Sequence, residues 1–414
     1  MMLAELRKAR YPLETGLLIA LCFFLPLLEA PKNIVWVGYV SCWLVNRVRA
    51  REFPGAWGGR WDLWDSLIAL WIASGFVVAA FAGLHGDEWR GAIDLVKYGS
   101  VLWLVKRSRY GAWEIRMILV ALIASTVIGL AVGHWRILSG AARSGTLQLW
   151  SIGHVNHTAI YLAIVLGVCA SWLFARWRSW SVGPRLIALA ATAAVLTSLI
   201  VTASRGAIGI GLALLLVLGA VWWRRWRAPL VASAVTVALV AAAAIEAKFE
   251  VVRKHQDDVE AQNVLAFRDG IWRMGLVAWE RYPWFGVGMD NYGLVTQERV
   301  KAWREASGSG YDPAQYVHFP HAHNLYIGAL TERGVVGAGI LAAVLIGWLV
   351  SLVRRRPRAQ SGDTDWLLWG GAASAWFVVV GVGLVNSSLH DEIGILAGVL
   401  LGLWLSRTNP APAS

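Results

Sequence analysis

The chain reads as an all-α, polytopic membrane protein of about twelve transmembrane helices, and three observations predict this class. Of its 414 residues, 57% are hydrophobic and only 15% charged, with a mean hydropathy of +0.54. Soluble proteins are about 25% charged, so composition excludes an ordinary globular domain. The apolar residues fall in runs near the ~20 residues that a bilayer-crossing helix needs. The basic residues cluster in every second loop between those runs. A net charge of +12 would suggest nucleic acid in a soluble protein. Here the placement of charge carries the information, and no nucleic-acid partner is expected.

Along the chain the predicted spans are 13–28, 34–45, 63–83, 92–105, 113–132, 155–174, 186–202, 207–223, 230–245, 334–353, 367–385 and 393–405. No convincing cleavage site follows the first, which is expected to be a retained helix. The second and fourth are short, which leaves them to be tilted, interrupted or extended by flanking polar residues. Basic clusters sit at Arg7/Lys8/Arg10, Arg47/Arg49/Arg51, Lys106/Arg107/Arg109, Arg176/Arg178/Arg185, Arg224/Arg225/Arg227 and Arg354/Arg355/Arg356/Arg358. By the positive-inside rule these segments are cytoplasmic, with both termini inside. Cys22, Cys42 and Cys169 all lie within apolar runs, which predicts buried packing, not disulfides or thiolate zinc.

Three regions follow: residues 1–246 with spans one to nine, 247–322 as a large outward loop, and 323–414 with an interfacial segment and spans ten to twelve. All nine histidines (His85, His134, His154, His157, His255, His318, His321, His323 and His390) fall in or beside outward segments. Imidazole is the usual proton-transfer group near neutral pH, so chemistry is sought on that face. The large loop runs to roughly 75 residues, far beyond an ordinary connection. Helical spacing of Leu265, Trp272, Leu276 and Trp279 predicts a helix over 264–280, and Leu294, Val295 and Trp303 predict another over 291–305. Between them Tyr282-Pro-Trp-Phe-Gly-Val-Gly reads as a turn broken by Gly286 and Gly288. The loop should form a small helical cap. His323 to Arg333 should form a short interfacial helix or the first turns of the next span.

His318, His321 and His323, with His390 or Asp391, invite a zinc reading. Pro320 interrupts the run and no HExxH spacing is present, so a histidine base is preferred and no metal or other cofactor is expected. Asp363-Thr-Asp365 has the form of a nucleotide-sugar DxD motif but lies on the cytoplasmic side, where a solvated loop is the simpler reading. Thr202-Ala-Ser204-Arg205-Gly206 joins two spans by a tight hairpin. Arg205 must there snorkel or grip an anion, and paired guanidinium hydrogen bonds suit a diphosphate. Arg268 in the cap is a second candidate for the same ligand. No serine or cysteine nucleophile motif or locally spaced carboxylate pair is evident. Displacement of a diphosphate needs neither; it needs one base and cations for the developing charge.

Three segments resemble the O-antigen ligase (WaaL) and Wzy-polymerase superfamily: TASRGA from Thr202, GVGMDNY from Gly286, and HAHNLYIGALTERGVVG from His321. The topology, with a large outward loop late in the chain, is similar too. The resemblance implies a GT-C-type, inverting, metal-independent glycosyltransferase of the bacterial inner membrane, with its active site on the periplasmic face. Its donor would be O-antigen on undecaprenyl diphosphate, and its acceptor lipid A–core. By motif position His323 would be the base, Arg205 and Arg268 the diphosphate ligands, and Asp391 an orienting acid. His321 and Asn324 would support the site. Protein-glycosylating relatives usually carry an extra C-terminal portion, and the short segment after Leu405 favours a ligase over them. A Wzy-type polymerase, differing only in acceptor, is the nearest alternative. A transporter is the alternative from another class, but few spans carry the intramembrane polar residues that a transport path needs.

Overall fold

The computed structural model describes residues 5–6, 9–50, 57, 59–141, 146–223, 267–358 and 360–408. Among these, all regular structure is helical. The expected ninth span and residues 247–266 of the large loop lie outside the described residues. The helices are α1 (Pro12–Phe24), α2 (Glu29–Arg49), α3 (Leu63–Ala80), α4 (Glu88–Arg107), α5 (Ala112–Leu138), α6 (Val155–Arg176), α7 (Val182–Val201) and α8 (Arg205–Trp223). After the undescribed segment come α9 (Arg268–Arg281), α10 (Gln297–Ala306), α11 (Leu325–Arg354), α12 (Asp363–Val382) and α13 (Asp391–Thr408). Among them α3, α5, α6, α7, α8, α11 and α12 are long and apolar enough to cross a membrane, which makes this a multi-pass membrane protein. The helices α2 and α4 exceed the apolar runs that predict them. Polar residues extend both ends: Glu29 and Lys32 at the start of α2, Arg47 and Arg49 at its end.

The central helix is α6, buried along most of its length and surrounded by α7, α8, α12 and α13. An all-round apolar helix belongs either in a protein interior or in lipid, and α6 takes the interior of the bundle. Within lipid, helices associate through close contact more than through the hydrophobic effect, so small residues mark the interfaces. On α6 and α12, Gly167 faces Ser374 and Ser171 faces Gly370; a methyl on either glycine would overlap the facing serine. The α4–α13 contact uses a stripe at every fourth residue: Gly394 meets Tyr98, Gly398 meets Leu102, and Gly402 meets Val105.

The outer cap has its own small core of Met274, Val277, Ala278, Val287, Val295, Val300 and Tyr316, and α9 rests on α11. The stretch predicted as one helix over 291–305 is instead a 3-10 turn, Tyr292–Leu294, followed by α10. Thr296 ends the turn and caps α10 by accepting from the Arg299 N–H. The segment before the tenth predicted span is continuous with it. Helix α11 starts at Leu325, capped by Asn324, and breaks at Gly334 (φ 57, ψ −167).

That break is filled by the turn the glycines predict. Val287 and Gly288 donate to the carbonyls of Thr331 and Glu332 at 2.8 and 3.0 Å, while Val335 and Val336 donate to Pro283 and Trp284 at 2.8 and 3.2 Å. Groups that an unbroken helix would pair internally thus pair with the loop. Gly286 has φ +70, and a Cβ there would meet the Thr331 carbonyl oxygen at 2.5 Å. Only glycine satisfies both the conformation and the contact.

At the arginine-rich end, several basic residues that mark topology are buried in ion pairs. Asp65 accepts from Trp103 Nε1, Lys106 Nζ and both Nε and Nη2 of Arg107, at 2.6 to 3.0 Å. Glu14 accepts from both Nη atoms of Arg47, each at 3.2 Å, and from Asn46 and Ser108 at 3.0 Å. The Asp363 and Asp365 carboxylates open α12 and face Arg176 and Arg407 at 3.6 and 3.2 Å.

Candidate active site

The site lies where the ends of α11 and α12 meet at the histidine-rich end. Asn324 caps α11, its Oδ1 accepting from the N–H groups of Tyr326 and Ile327 at 2.9 Å. Its Nδ2 donates to Leu384 O at 2.8 Å, and Leu325 N–H donates to Gly383 O at 2.8 Å. Two of the predicted segments therefore turn on Asn324: it terminates the loop and fastens that terminus to the exit of α12. Its role is structural support.

His323, immediately before this cap, has φ 47. Its Nδ1 faces Asn386 Oδ1 at 3.4 Å, and its ring lies 4.7 Å from Phe319 and 5.0 Å from His321. Burial lowers its pKa below the ordinary imidazole value; the Asn386 contact opposes this, and the charges of Arg268 and His154 reinforce it. Desolvation and the positive charges of His323, His390 and His154 take His321 down to about 4. Both rings are therefore neutral near pH 7, the state required of a proton acceptor.

Arg268 opens α9 and is an electrostatic neighbour of His323. Arg205 opens α8, after a turn in which Ala203 has φ 55 and Thr202 Oγ1 accepts from the Ser204 N–H. The next residue, Gly206, packs against Val385, so the hairpin abuts the residue before Asn386. Arg268 thus acts on His323 through its charge, while the turn before Arg205 reaches the exit of α12 through Gly206 and Val385.

Asp391 orients a different imidazole. His390 Nδ1 lies 2.9 Å from Asp391 Oδ2, and the His390 ring is 5.2 Å from His157, which in turn is 5.7 Å from His154. The Asp391 N–H donates to Tyr98 Oη at 2.7 Å. Burial disfavours charge on His390, but the Asp391 hydrogen bond and carboxylate, with Asp290 and Asp94, prevail and raise its pKa. His390 is thus biased toward the cation, and His321 and His323 toward the neutral base. Among the described residues, no group of three His, Cys, Asp or Glu side chains is arranged to hold a metal ion.

Backbone strain offers an independent view of the same residues. Among the described residues, the non-glycine positions with positive φ are Ala203, Phe267, Asp290, His323 and Asp391. Left-handed conformations cost of order 1–3 kcal/mol each and concentrate at functional sites. Ala203 lies two residues before Arg205, Phe267 directly precedes Arg268, and His323 and Asp391 are themselves candidates. The remaining one, Asp290, had no place in the sequence reading. Its Oδ2 lies over Gly91 of α4, and burial followed by the charge of Asp94 raises its pKa. Gly-Met-Asp-Asn is a turn signal that could have flagged it. The approach of Asn386 to His323 and of His157 to His390 was also missed, because only tertiary packing brings these residues together.

The fold and this cluster define a multi-pass helical membrane protein with an imidazole and guanidinium site at one end. Residues 190–342 match the family model Wzy_C, described as O-antigen ligase. Over that segment the chain is similar to O-antigen ligase-type proteins. The matched residues include Arg205, Arg268, Asp290, His321 and His323, whereas Asn386, His390 and Asp391 lie beyond them. No curated protein matches the chain.

Proposed function

We propose that the protein is a GT-C-type glycosyltransferase of the inner membrane that transfers O-antigen polysaccharide from undecaprenyl diphosphate to lipid A–core at its periplasmic face. The observation that carries this is the convergence, within and beside the matched segment, of a neutral imidazole, His323, with Arg268 and the Arg205 hairpin. His323 takes the proton of the acceptor hydroxyl. The acceptor oxygen bonds to the anomeric carbon as the bond from that carbon to the diphosphate oxygen breaks. The electron pair leaves with the diphosphate, whose charge Arg205 and Arg268 meet through paired hydrogen bonds. In-line attack inverts the anomeric centre, and no metal is assigned a role.

Purified protein supplied with an undecaprenyl-diphosphate-linked glycan tests this reading. Transfer to lipid A–core, and not to a second lipid-linked glycan, is expected. Extension of the second glycan alone would instead establish a polymerase. Flux of a counter-ion in proteoliposomes without any glycan, with no transfer to either acceptor, would replace the enzyme reading with a transporter.

A further inference from the structure

We infer that Asn386 is a positioning residue that sets the tautomer of His323, and this rests on the reading of His323 as the base. The Asn386 side chain is buried in the turn after α12. Its Oδ1 accepts from the Ser387 N–H at 2.9 Å and faces His323 Nδ1 at 3.4 Å. The backbone N–H can only donate, so the atom it meets must be the amide oxygen and not the nitrogen. The atom facing Nδ1 is therefore an acceptor, and Nδ1 must carry the proton. That leaves the lone pair on Nε2, the atom able to receive the acceptor hydroxyl's proton. The 3.4 Å separation is at the long end of the range, as is common before substrate binds.

The surrounding backbone holds this pair in register. Asn386 N–H donates to Val382 O at 2.9 Å, and the start of α11 is fastened to Gly383 and Leu384 of the same turn. Tyr326 Oη adds a bond to Val380 O at 2.9 Å. Imidazole and amide thus approach from two helix ends that are themselves bonded together. The charged and titratable groups facing His323 are Arg268 on α9, His154 before α6, and His321 on its own loop. All are basic, so a neutral amide at position 386 preserves a neutral base. A carboxylate would orient the ring equally well but would also stabilise its protonated form.

This contrast supplies the test, read as the pH profile of transfer by the purified full chain. Asn386→Asp keeps an acceptor for both Ser387 N–H and His323 Nδ1. Its acid limb should move up by about one pH unit, so that at pH values below both limbs relative activity falls about tenfold against its own plateau. Asn386→Leu removes the acceptor; kcat should fall about tenfold or more, with no upward movement of the limb. An Asn386→Asp limb that coincides with the wild-type one would overturn the assignment. So would Asn386→Leu with full kcat. His323→Ala run in parallel separates the two ideas. Normal transfer by that variant removes the base itself, whereas loss of transfer with an unmoved Asn386→Asp limb removes only the positioning role.

Discussion

The two ends of the helical bundle treat their polar residues in opposite ways. At the arginine-rich end, Asp65 and Glu14 are buried and ringed by donors: an indole, a lysine and a fork of Arg107 around one, Arg47, Asn46 and Ser108 around the other. At the histidine-rich end, the imidazoles make long or single contacts, stand beside one another, and rest on a backbone bent into left-handed conformations. The first arrangement spends its donors on internal carboxylates and locks α1, α2, α3 and α4 together. The two ends thus differ in what surrounds their basic side chains: carboxylates around Arg107 and Arg47 at the first, an amide and other rings around His323 at the second.

The largest effect should come from His323→Ala, which should cut glycan transfer by ~10²–10⁴-fold, as expected for loss of a general base. Thermal unfolding in detergent should be little changed, because His323 has one weak side-chain hydrogen bond. A variant that transfers normally would erase the functional half of the comparison.

Asp65→Ala probes the other end. Removing the shared carboxylate leaves Lys106 and Arg107 buried without it, and breaking such a pair costs about 3–5 kcal/mol. The variant should unfold at lower temperature or lower denaturant, while each surviving folded molecule still transfers glycan. Unchanged stability would mean that this cluster is no more than a solvated face.

Arg205→Ala should weaken donor use by about tenfold, and Arg205→Lys should restore only part of it, since a point ammonium cannot make the paired bonds of a guanidinium. The readout is the apparent KM for the lipid diphosphate. Full rescue by lysine would reduce Arg205 to a simple positive charge, unlike the forked Arg107 and Arg47 of the opposite end.

Much of this architecture is legible in the chain because membrane spans are written as long apolar runs, and α6, α11 and α12 appear where those runs lie. The length of α2 is less legible, since Lys32 and Arg47 near its ends are buried only because Glu392 and Glu14 pair with them. The break at Gly334 is invisible locally; it requires the carbonyls of Pro283 and Trp284 to replace lost helix bonds. The site divides similarly. Arg205 and His323 stand out as costly polar residues beside apolar runs. Asp290 and Asn386 resemble ordinary turn residues until packing places them against Gly91 and His323.

The smallest effect is expected at Asp363-Thr-Asp365, whose spacing alone suggests a metal-binding pair. Each carboxylate faces its own arginine, Arg176 for Asp363 and Arg407 for Asp365, and both lie in the first turn of α12, where negative charge is favoured by the helix dipole. Partly exposed pairs of this kind contribute about 0–1 kcal/mol. Replacing both aspartates by asparagine should therefore shift unfolding by no more than about 2 kcal/mol for the two pairs together and leave transfer intact, with or without a strong chelator. A chelator-sensitive wild type whose sensitivity disappears in the double variant would put metal chemistry at the arginine-rich end, and the contrast between the two ends would have to be redrawn.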